Sequence, residues 1–205
     1  KWVPMPVGGD RTLYQPTRQE DKKVDIVYLG GRWAYKGLTI DKYLVPLYRQ
    51  CLAGVKDEKR NIIFKLHGWG EWPKEFNIDI LGEDQVTPFL GSGKVGPCIS
   101  EKHTHESNID IPERAFKIAL CNTLVIHDTV PAIRRMIPSA LVANSPENFH
   151  ALCLHYSCDA NNDERIALTN SQREEVLKSH TYHHRMATLF RELGWADEAD
   201  KMIKD

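Results

Sequence analysis

The chain has 205 residues, of which 41 % are apolar and 27 % charged, and its 27 Lys and Arg against 28 Asp and Glu give a formal charge of −1. These values are typical of a globular protein and exclude a disordered, collagen-like or low-complexity chain. A near-neutral balance argues against a nucleic-acid-binding protein, which needs a basic face for phosphates. No apolar run approaches the roughly 20 residues of a membrane span, and the N-terminus lacks the apolar core of a signal peptide.

Residues 1–23 are predicted to form a linker or irregular arm, because Pro, Gly and charged residues punctuate them. The chain begins with Lys rather than Met, which suggests a piece of a longer polypeptide or a processed product. Residues 24–205 are then expected to form one domain, since domains typically contain about 100–200 residues.

Short apolar segments alternate with helical ones in the first two thirds of this domain. Strands are predicted at 24–29, 61–66, 94–100, 123–127 and 140–143. Helices are predicted between them at 38–53, 84–90, 112–121 and 130–137. The remainder is predicted to be helical, at 146–158, 161–178, 182–193 and 195–203. This order indicates an α/β domain with a parallel sheet and a helical C-terminal tail.

The cysteines are odd in number, and no two of them are separated by the two residues typical of a redox or zinc motif. All five lie in or beside apolar sequence: Cys51, Cys98, Cys121, Cys153 and Cys158. We therefore expect buried free thiols in a reducing compartment, and hence a cytoplasmic protein.

The loops at the carboxyl ends of the strands are the expected ligand-binding surface of such a sheet. In the first loop, Gly30 and Gly31 would let backbone approach a ligand, while Arg32 and Lys36 would bind a phosphate. Two solvent-exposed cations on a tight turn are the alternative. In the loop after the second strand, Trp69 either stacks on a flat ligand or fills the rim.

A charged segment at 100–114 lies between a predicted strand and a predicted helix. His103, His105 and Glu106 invite a metal assignment, but their spacing matches no zinc motif, so hydrogen bonding or general acid–base catalysis by a histidine is favoured. Glu113 and Lys117 are spaced i, i+4 and form either an ordinary surface ion pair or part of the ligand site.

Four segments, taken in their order along the chain, resemble the C-terminal, donor-binding domain of group-1 glycosyltransferases with the GT-B fold. The resemblance is in particular to the spore-maturation CgeB-like type. The most specific are 110–128, with Pro-Glu-Arg-Ala-Phe-Lys at its start, and 179–185, with His-Thr-Tyr-His-His-Arg. The glycine turn at 29–37 and the possible interdomain linker at 2–16 complete the resemblance. It implies a Rossmann-like sheet flanked by helices, which is half of a GT-B fold.

The resemblance implies a transferase that binds a nucleotide-sugar and uses neither an essential metal nor a cofactor. The donor diphosphate would lie near Arg32, Lys36 and the backbone amides that open the helix after 111, and the sugar would face loop 101–110. The implied donor-binding residues are Gly30, Gly31, Arg32, Lys36, Trp69, Asn108, Ile109, Asp110, Arg114 and Lys117. The candidate catalytic residues are His105, Glu106 and Glu113.

Departures from the family pattern leave alternatives open. Lys117 stands where the family commonly has the glutamate that binds the ribose hydroxyls, and Glu113 is a possible substitute. Asn122 replaces a glycine, although Asn tolerates the left-handed conformation. The acceptor is unknown, and the expected partner of this half is an N-terminal domain or a second copy.

Two other functions are therefore considered. One is a catalytically inactive module of the same fold that binds a nucleotide or a partner, as Lys117 and the absent domain suggest. The other, weaker one is a metal-dependent hydrolase built on His103, His105 and Glu106.

Overall fold

The computed structural model describes residues 3–54, 61–76, 78–107 and 111–204. Within them, a single sheet of parallel strands has the order β2-β1-β3-β4-β5. The strands are β1 (Val24–Leu29), β2 (Phe64–His67), β3 (Gly93–Cys98), β4 (Leu124–His127) and β5 (Leu141–Val142). The predicted α/β class and parallel sheet are confirmed.

The helices follow the predicted order with local differences. They are α1 (Ala34–Leu52), α2 (Glu83–Gly91), α3 (Lys102–Ser107), α4 (Glu113–Leu120), α5 (Pro146–Ser157), α6 (Asn162–Ser179), α7 (Tyr182–Glu192) and α8 (Ala196–Lys204). Helix α1 begins four residues before the predicted start, because Gly37 weakens the helical pattern in its first turns. Helix α3 was predicted as loop, since only Thr104 in it is buried and no apolar periodicity marks it. The predicted helix at 130–137 is a 3-10 turn, Pro131–Arg135.

Helices cover both faces of the sheet, which explains why its central strands are mostly buried. Helices α1 and α5 pack on one face, where Ile26, Leu44 and Phe149 are fully buried. Helices α2, α4 and α6 pack on the other, around Phe116 and Val125. The sheet is thus a fixed platform whose carboxyl edge remains accessible.

The N-terminal arm contains one 3-10 turn, Gln19–Asp21, and it packs along the domain. The Gly9 N–H donates to the His180 carbonyl at 2.9 Å, and the Gly9 carbonyl accepts from the Tyr182 N–H at 2.9 Å. The buried Lys22 ammonium donates to the Gly91 carbonyl at 3.0 Å and to Thr123 Oγ1 at 3.1 Å. These contacts join the arm to the α6–α7 corner and to the sheet.

Two smaller expectations are also confirmed. Asn122, just after α4, has a φ of 59°, the left-handed conformation for which Asn was expected to be tolerated. All five cysteines are free thiols; four are buried and Cys158 is half-buried.

None of the helices in the described ranges is both long and apolar enough to cross a membrane.

Candidate functional site

The chain changes direction at the carboxyl ends of β1 and β3. After β1 it passes through α1 to β2 on one side, and it later returns to β3 on the other side of β1. The crevice at such a reversal is the usual ligand site of an open α/β sheet. Helices α1 and α4 both begin near this crevice, since they follow β1 and the loop after β3.

Arg114, in the first turn of α4, lies directly over the end of β1. Its guanidinium carbon is 4.9 Å from the centre of the Tyr28 ring, and its Nη1 is 3.4 Å from the Tyr28 hydroxyl. A Cβ at Gly30 would lie 2.4 Å from Arg114 Nη2. Gly30 is therefore needed for the approach of the guanidinium, which was not foreseen from the sequence.

Lys36, in the first turn of α1, is a buried cation of the same crevice. It is 4 % exposed, and its ammonium lies 4.9 Å from the centre of the Trp33 ring. Burial and the positive charge of Arg114 lower the pKa of Lys36 to about 7. The negative charges of Glu101 and Asp128 raise the pKa but do not outweigh these two effects.

Neither cation has a carboxylate partner in the part of the chain that the structure describes. Desolvating a charge without a partner costs several kcal/mol. This arrangement leaves the charges of Lys36 and Arg114 without compensation from a described carboxylate at the crevice.

A pocket of about 280 Å³ adjoins Arg114. Its lining is Leu29, Leu90, Pro112, Glu113, Arg114 and Lys117. The predicted pair is formed, with Glu113 Oε2 at 2.8 Å from Lys117 Nζ, and Glu113 Oε1 accepts from the Tyr182 hydroxyl at 2.8 Å. Burial alone would lower the pKa of Lys117, but hydrogen bonds to Glu113 and Tyr14 outweigh it and raise the pKa.

Arg32 and Trp69 lie in a different pocket, of about 340 Å³, which shares no lining residue with the first. Arg32 donates from Nε and Nη2 to the two carboxylate oxygens of Asp41, at 3.1 and 2.7 Å, and from Nη1 to the Glu71 carbonyl. The Trp69 ring stacks on Trp33, with centroids 5.1 Å apart. Arg32 therefore lies outside the pocket that adjoins Arg114, whereas Lys36 packs on Trp33, which lines the Arg32 pocket.

His105 is held by hydrogen bonds at both of its ring nitrogens. Nε2 lies 3.1 Å from Asp128 Oδ2, and Nδ1 lies 3.2 Å from Thr129 Oγ1. Asp128 is fully buried and also accepts from the Ser100 N–H at 2.6 Å. Burial raises the pKa of Asp128, but hydrogen bonds with His105 and His127 outweigh it and hold the pKa below its usual value. This network fixes α3 against the end of β4.

The three candidate catalytic residues contact different partners. His105 contacts Asp128, the exposed Glu106 lies 3.6 Å from Lys102, and Glu113 contacts Lys117. Their catalytic roles stay predictions.

The remaining predicted donor-binding residues are Gly31, in the loop after β1, and three residues outside the described ranges. Gly31 is buried against Trp69, with which a Cβ would collide. Asn108, Ile109 and Asp110 are outside the described residues. In the described ranges, no three His, Cys, Asp or Glu side chains come together as they would around a metal ion.

The sheet order and the crevice define a Rossmann-like domain of the kind that forms half of GT-B glycosyltransferases. A family model described as glycosyl transferase-like matches residues 45–191, and the chain belongs to that family. A search of curated protein sequences finds no match.

Solved structures of similar fold include several sugar-transferring enzymes. The α,α-trehalose 6-phosphate synthase of Burkholderia multivorans has a TM-score of 0.61 at 12 % identity, covering 94 % of this chain and 51 % of its own. The sucrose-phosphate synthase of Thermosynechococcus elongatus has a TM-score of 0.59 at 15 % identity, covering 94 % of this chain and 52 % of its own. A T4 phage BGT mutant in complex with UDP-glucose has a TM-score of 0.59 at 13 % identity, covering 93 % of this chain and 50 % of its own. At these identities the similarity shows the fold, and the chain spans about half the length of the structures it matches.

Proposed function

We propose that this chain is the donor-binding domain of a glycosyltransferase that transfers a sugar from a nucleotide-sugar to an acceptor. The observation that carries the proposal is the pair of cations, Lys36 and Arg114, without a carboxylate partner among the described residues at the β1–β3 crevice. Membership of the glycosyl transferase-like family supports it. The UDP-glucose bound to the T4 phage BGT mutant supports the donor class.

The donor diphosphate would lie between Lys36, Arg114 and the N-terminal end of α4, whose helix dipole favours anions. The nucleoside would occupy the pocket between Leu29 and Leu90, where Glu113 can accept hydrogen bonds from ribose hydroxyls. The sugar would then face α3 and the loop that follows it. Arg32 and Trp69 line the other pocket, and their contact with the donor stays a prediction.

In the transfer, an acceptor hydroxyl oxygen bonds to the anomeric carbon of the sugar while the bond from that carbon to the diphosphate oxygen breaks. The nucleoside diphosphate leaves with the bonding electrons, and the hydroxyl proton passes to a base. Lys36 and Arg114 would stabilise the charge that develops on the leaving group, which is the task that a metal ion performs in other sites.

The finer parts of the proposal rest on the motif order. The CgeB-like type is supported by segments 110–128 and 179–185. A second domain or a second copy would close the donor site, because the chain spans about half of the matched structures. The buried free thiols support a cytoplasmic location.

The test is a thermal-shift series on the 205-residue chain with UDP, GDP, TDP, CDP and ADP. A nucleotide at about 100 times its Kd stabilises the folded state by about 2.7 kcal/mol, which raises the Tm by several degrees. The double variant Lys36→Met with Arg114→Met is expected to lose the shift. The exposed cations of the arm provide the matched control, Arg18→Met with Lys23→Met. Absence of any shift, or an unchanged shift in the first double variant, would contradict the proposal.

A further inference from the structure

A further pocket lies between α1 and α3, and we call it the α1–α3 pocket. It has a volume of about 340 Å³. Its walls are formed by Leu38, Thr39, Lys42 and Tyr43 of α1, by Lys102 and His105 of α3, and by Thr129 after β4. The pocket beside Arg114 is lined instead by residues of α2 and α4, which pack on the other face of the sheet. The two pockets therefore lie on opposite sides of the donor crevice.

The α1–α3 pocket lies next to Lys36. Lys36, Thr39 and Tyr43 are all buried and are spaced i, i+3 and i+7, so they share one face of α1. Burial lowers the pKa of Lys36, and the charge of the nearby Asp128 opposes that shift. Asp128 Oδ2 in turn lies 3.1 Å from Nε2 of His105 in the pocket wall. A sugar joined to a diphosphate at Lys36 would therefore enter this pocket.

Two ammonium groups approach the α1–α3 pocket from opposite walls. Lys42 extends from α1, with its Nζ 5.6 Å from the centre of the Tyr43 ring, and Lys102 extends from α3. The described residues that line the pocket include no carboxylate.

Two carboxylates lie close to these lysines but outside the pocket lining. Glu106 Oε1 is 3.6 Å from Lys102 Nζ, and both side chains are about two-thirds exposed, so this ion pair contributes little. Glu147 of α5 interacts with Lys42 through charge alone. Both lysines therefore remain able to bind an anion inside the pocket.

The negative charge of Asp128 is shielded from the α1–α3 pocket. Its Oδ1 accepts from Ser100 Oγ at 3.1 Å and lies 2.8 Å from His127 Nδ1, while its Oδ2 accepts from the Ser100 N–H at 2.6 Å and contacts His105. The His105 ring stacks on Tyr43, with centroids 6.3 Å apart and planes inclined by 17°. A ligand in the pocket would therefore meet the imidazole ring rather than the buried carboxylate.

We propose that the sugar of the nucleotide donor carries a carboxylate, as in a nucleoside-diphosphate uronic acid, and that Lys42 and Lys102 bind this carboxylate. The inference rests on the proposed function and names the class of donor for that site. Hydrogen bonds between an ammonium and a carboxylate are charge-assisted and stronger than those to a neutral hydroxyl. A neutral hexose, with CH₂OH in place of the carboxylate, would gain nothing from the two positive charges.

The experiment is a calorimetric titration of the chain with two donors that differ only at C6 of the sugar and carry the nucleotide that raises the Tm. For uridine these are UDP-glucuronic acid and UDP-glucose, and for guanosine they are GDP-mannuronic acid and GDP-mannose. We expect the uronic acid donor to bind about tenfold more tightly, since two partly exposed ammonium groups pair with its carboxylate.

The double variant Lys42→Met with Lys102→Met tests the assignment to these two lysines. It should bring the two donor affinities within about twofold of each other, while the affinity for the nucleoside diphosphate alone changes less than about twofold. The matched control is Lys201→Met with Lys204→Met, which removes the same charge from two exposed positions of α8. This control should keep the preference for the uronic acid.

The outcomes separate this inference from the proposed function. A preference for the uronic acid that is lost in the pocket variant and kept in the control supports the inference. Equal binding of the two donors by the unmodified chain, or a preference that the pocket variant keeps or the control loses, overturns it while the donor site stands. If no nucleoside diphosphate binds, the proposed function fails, and the inference fails with it.

Discussion

Arg32 and Arg114 lie at the same edge of the sheet, and their charges have opposite environments. The Arg32 guanidinium is neutralised by two hydrogen bonds to Asp41, whereas Arg114 rests on the Tyr28 ring without a carboxylate in the described structure. A partly buried cation without a partner reduces stability unless a ligand compensates it. The comparison teaches that the partner of a charge, more than its place in a motif, separates the proposed binding residue Arg114 from the ion-paired Arg32.

The largest expected effect is a loss of nucleotide affinity, and it should distinguish the methionine variants of the two arginines. Arg114→Met should weaken binding of the nucleoside diphosphate about 30-fold, because charge-assisted hydrogen bonds contribute about 2 kcal/mol. Arg32→Met should change the affinity for the nucleoside diphosphate less than about threefold, since Asp41 already pairs with that guanidinium. Isothermal titration calorimetry measures both. Equal losses in the two variants would remove the distinction between the two arginines.

A pH titration sharpens the comparison, because both arginines stay charged while Lys36 titrates. The pKa of Lys36 is lowered to about 7, and only its protonated form attracts the diphosphate. Affinity for UDP-glucose, whose diphosphate keeps its charge, should fall about tenfold between about pH 6 and about pH 8. In Lys36→Met the affinity should be lower and nearly independent of pH. A wild-type profile that is flat across this range would show that Lys36 does not bind the donor.

The smallest expected effect is on the stability of the ligand-free chain. Lys36→Met should raise the free energy of unfolding by about 1 kcal/mol near neutral pH, since it removes a buried, unpaired charge. The folded-state pKa of about 7 lies below the ordinary value of 10.5, so the penalty is complete below pH 7 and disappears as pH rises toward 10.5. The gain in Lys36→Met should shrink accordingly over that range.

Arg32→Met provides the contrast for this stability measurement. It should lower the free energy of unfolding by about 0.5 kcal/mol, because it removes a half-exposed ion pair. Urea denaturation of both variants measures these differences. A loss of stability in Lys36→Met would mean that its ammonium is compensated within the folded chain.

The elements that the sequence predicted well are those with an unambiguous local pattern. Strand β1 has the predicted bounds, because a short segment that is apolar except for Asp25 ends at a pair of glycines. Asn tolerates the left-handed backbone conformation better than most residues, and Asn122 adopts that conformation. Helix α3 was missed because it is short and polar, and it is held by the contact of His105 with Asp128, 23 residues away.

The sequence by itself determined the α/β class, the order of the elements and the edge of the sheet at which the candidate site lies. Periodicity and glycine placement are local properties, so these features can be read without knowing any tertiary contact. The tertiary structure alone decided which of the predicted cations remain unpaired. Asp41 meets Arg32 only once α1 has formed, and Arg114 meets Gly30, 84 positions earlier in the chain, only once the sheet has been assembled. Charge pairing depends on distances of a few ångströms in three dimensions, which the spacing of residues along a chain does not encode.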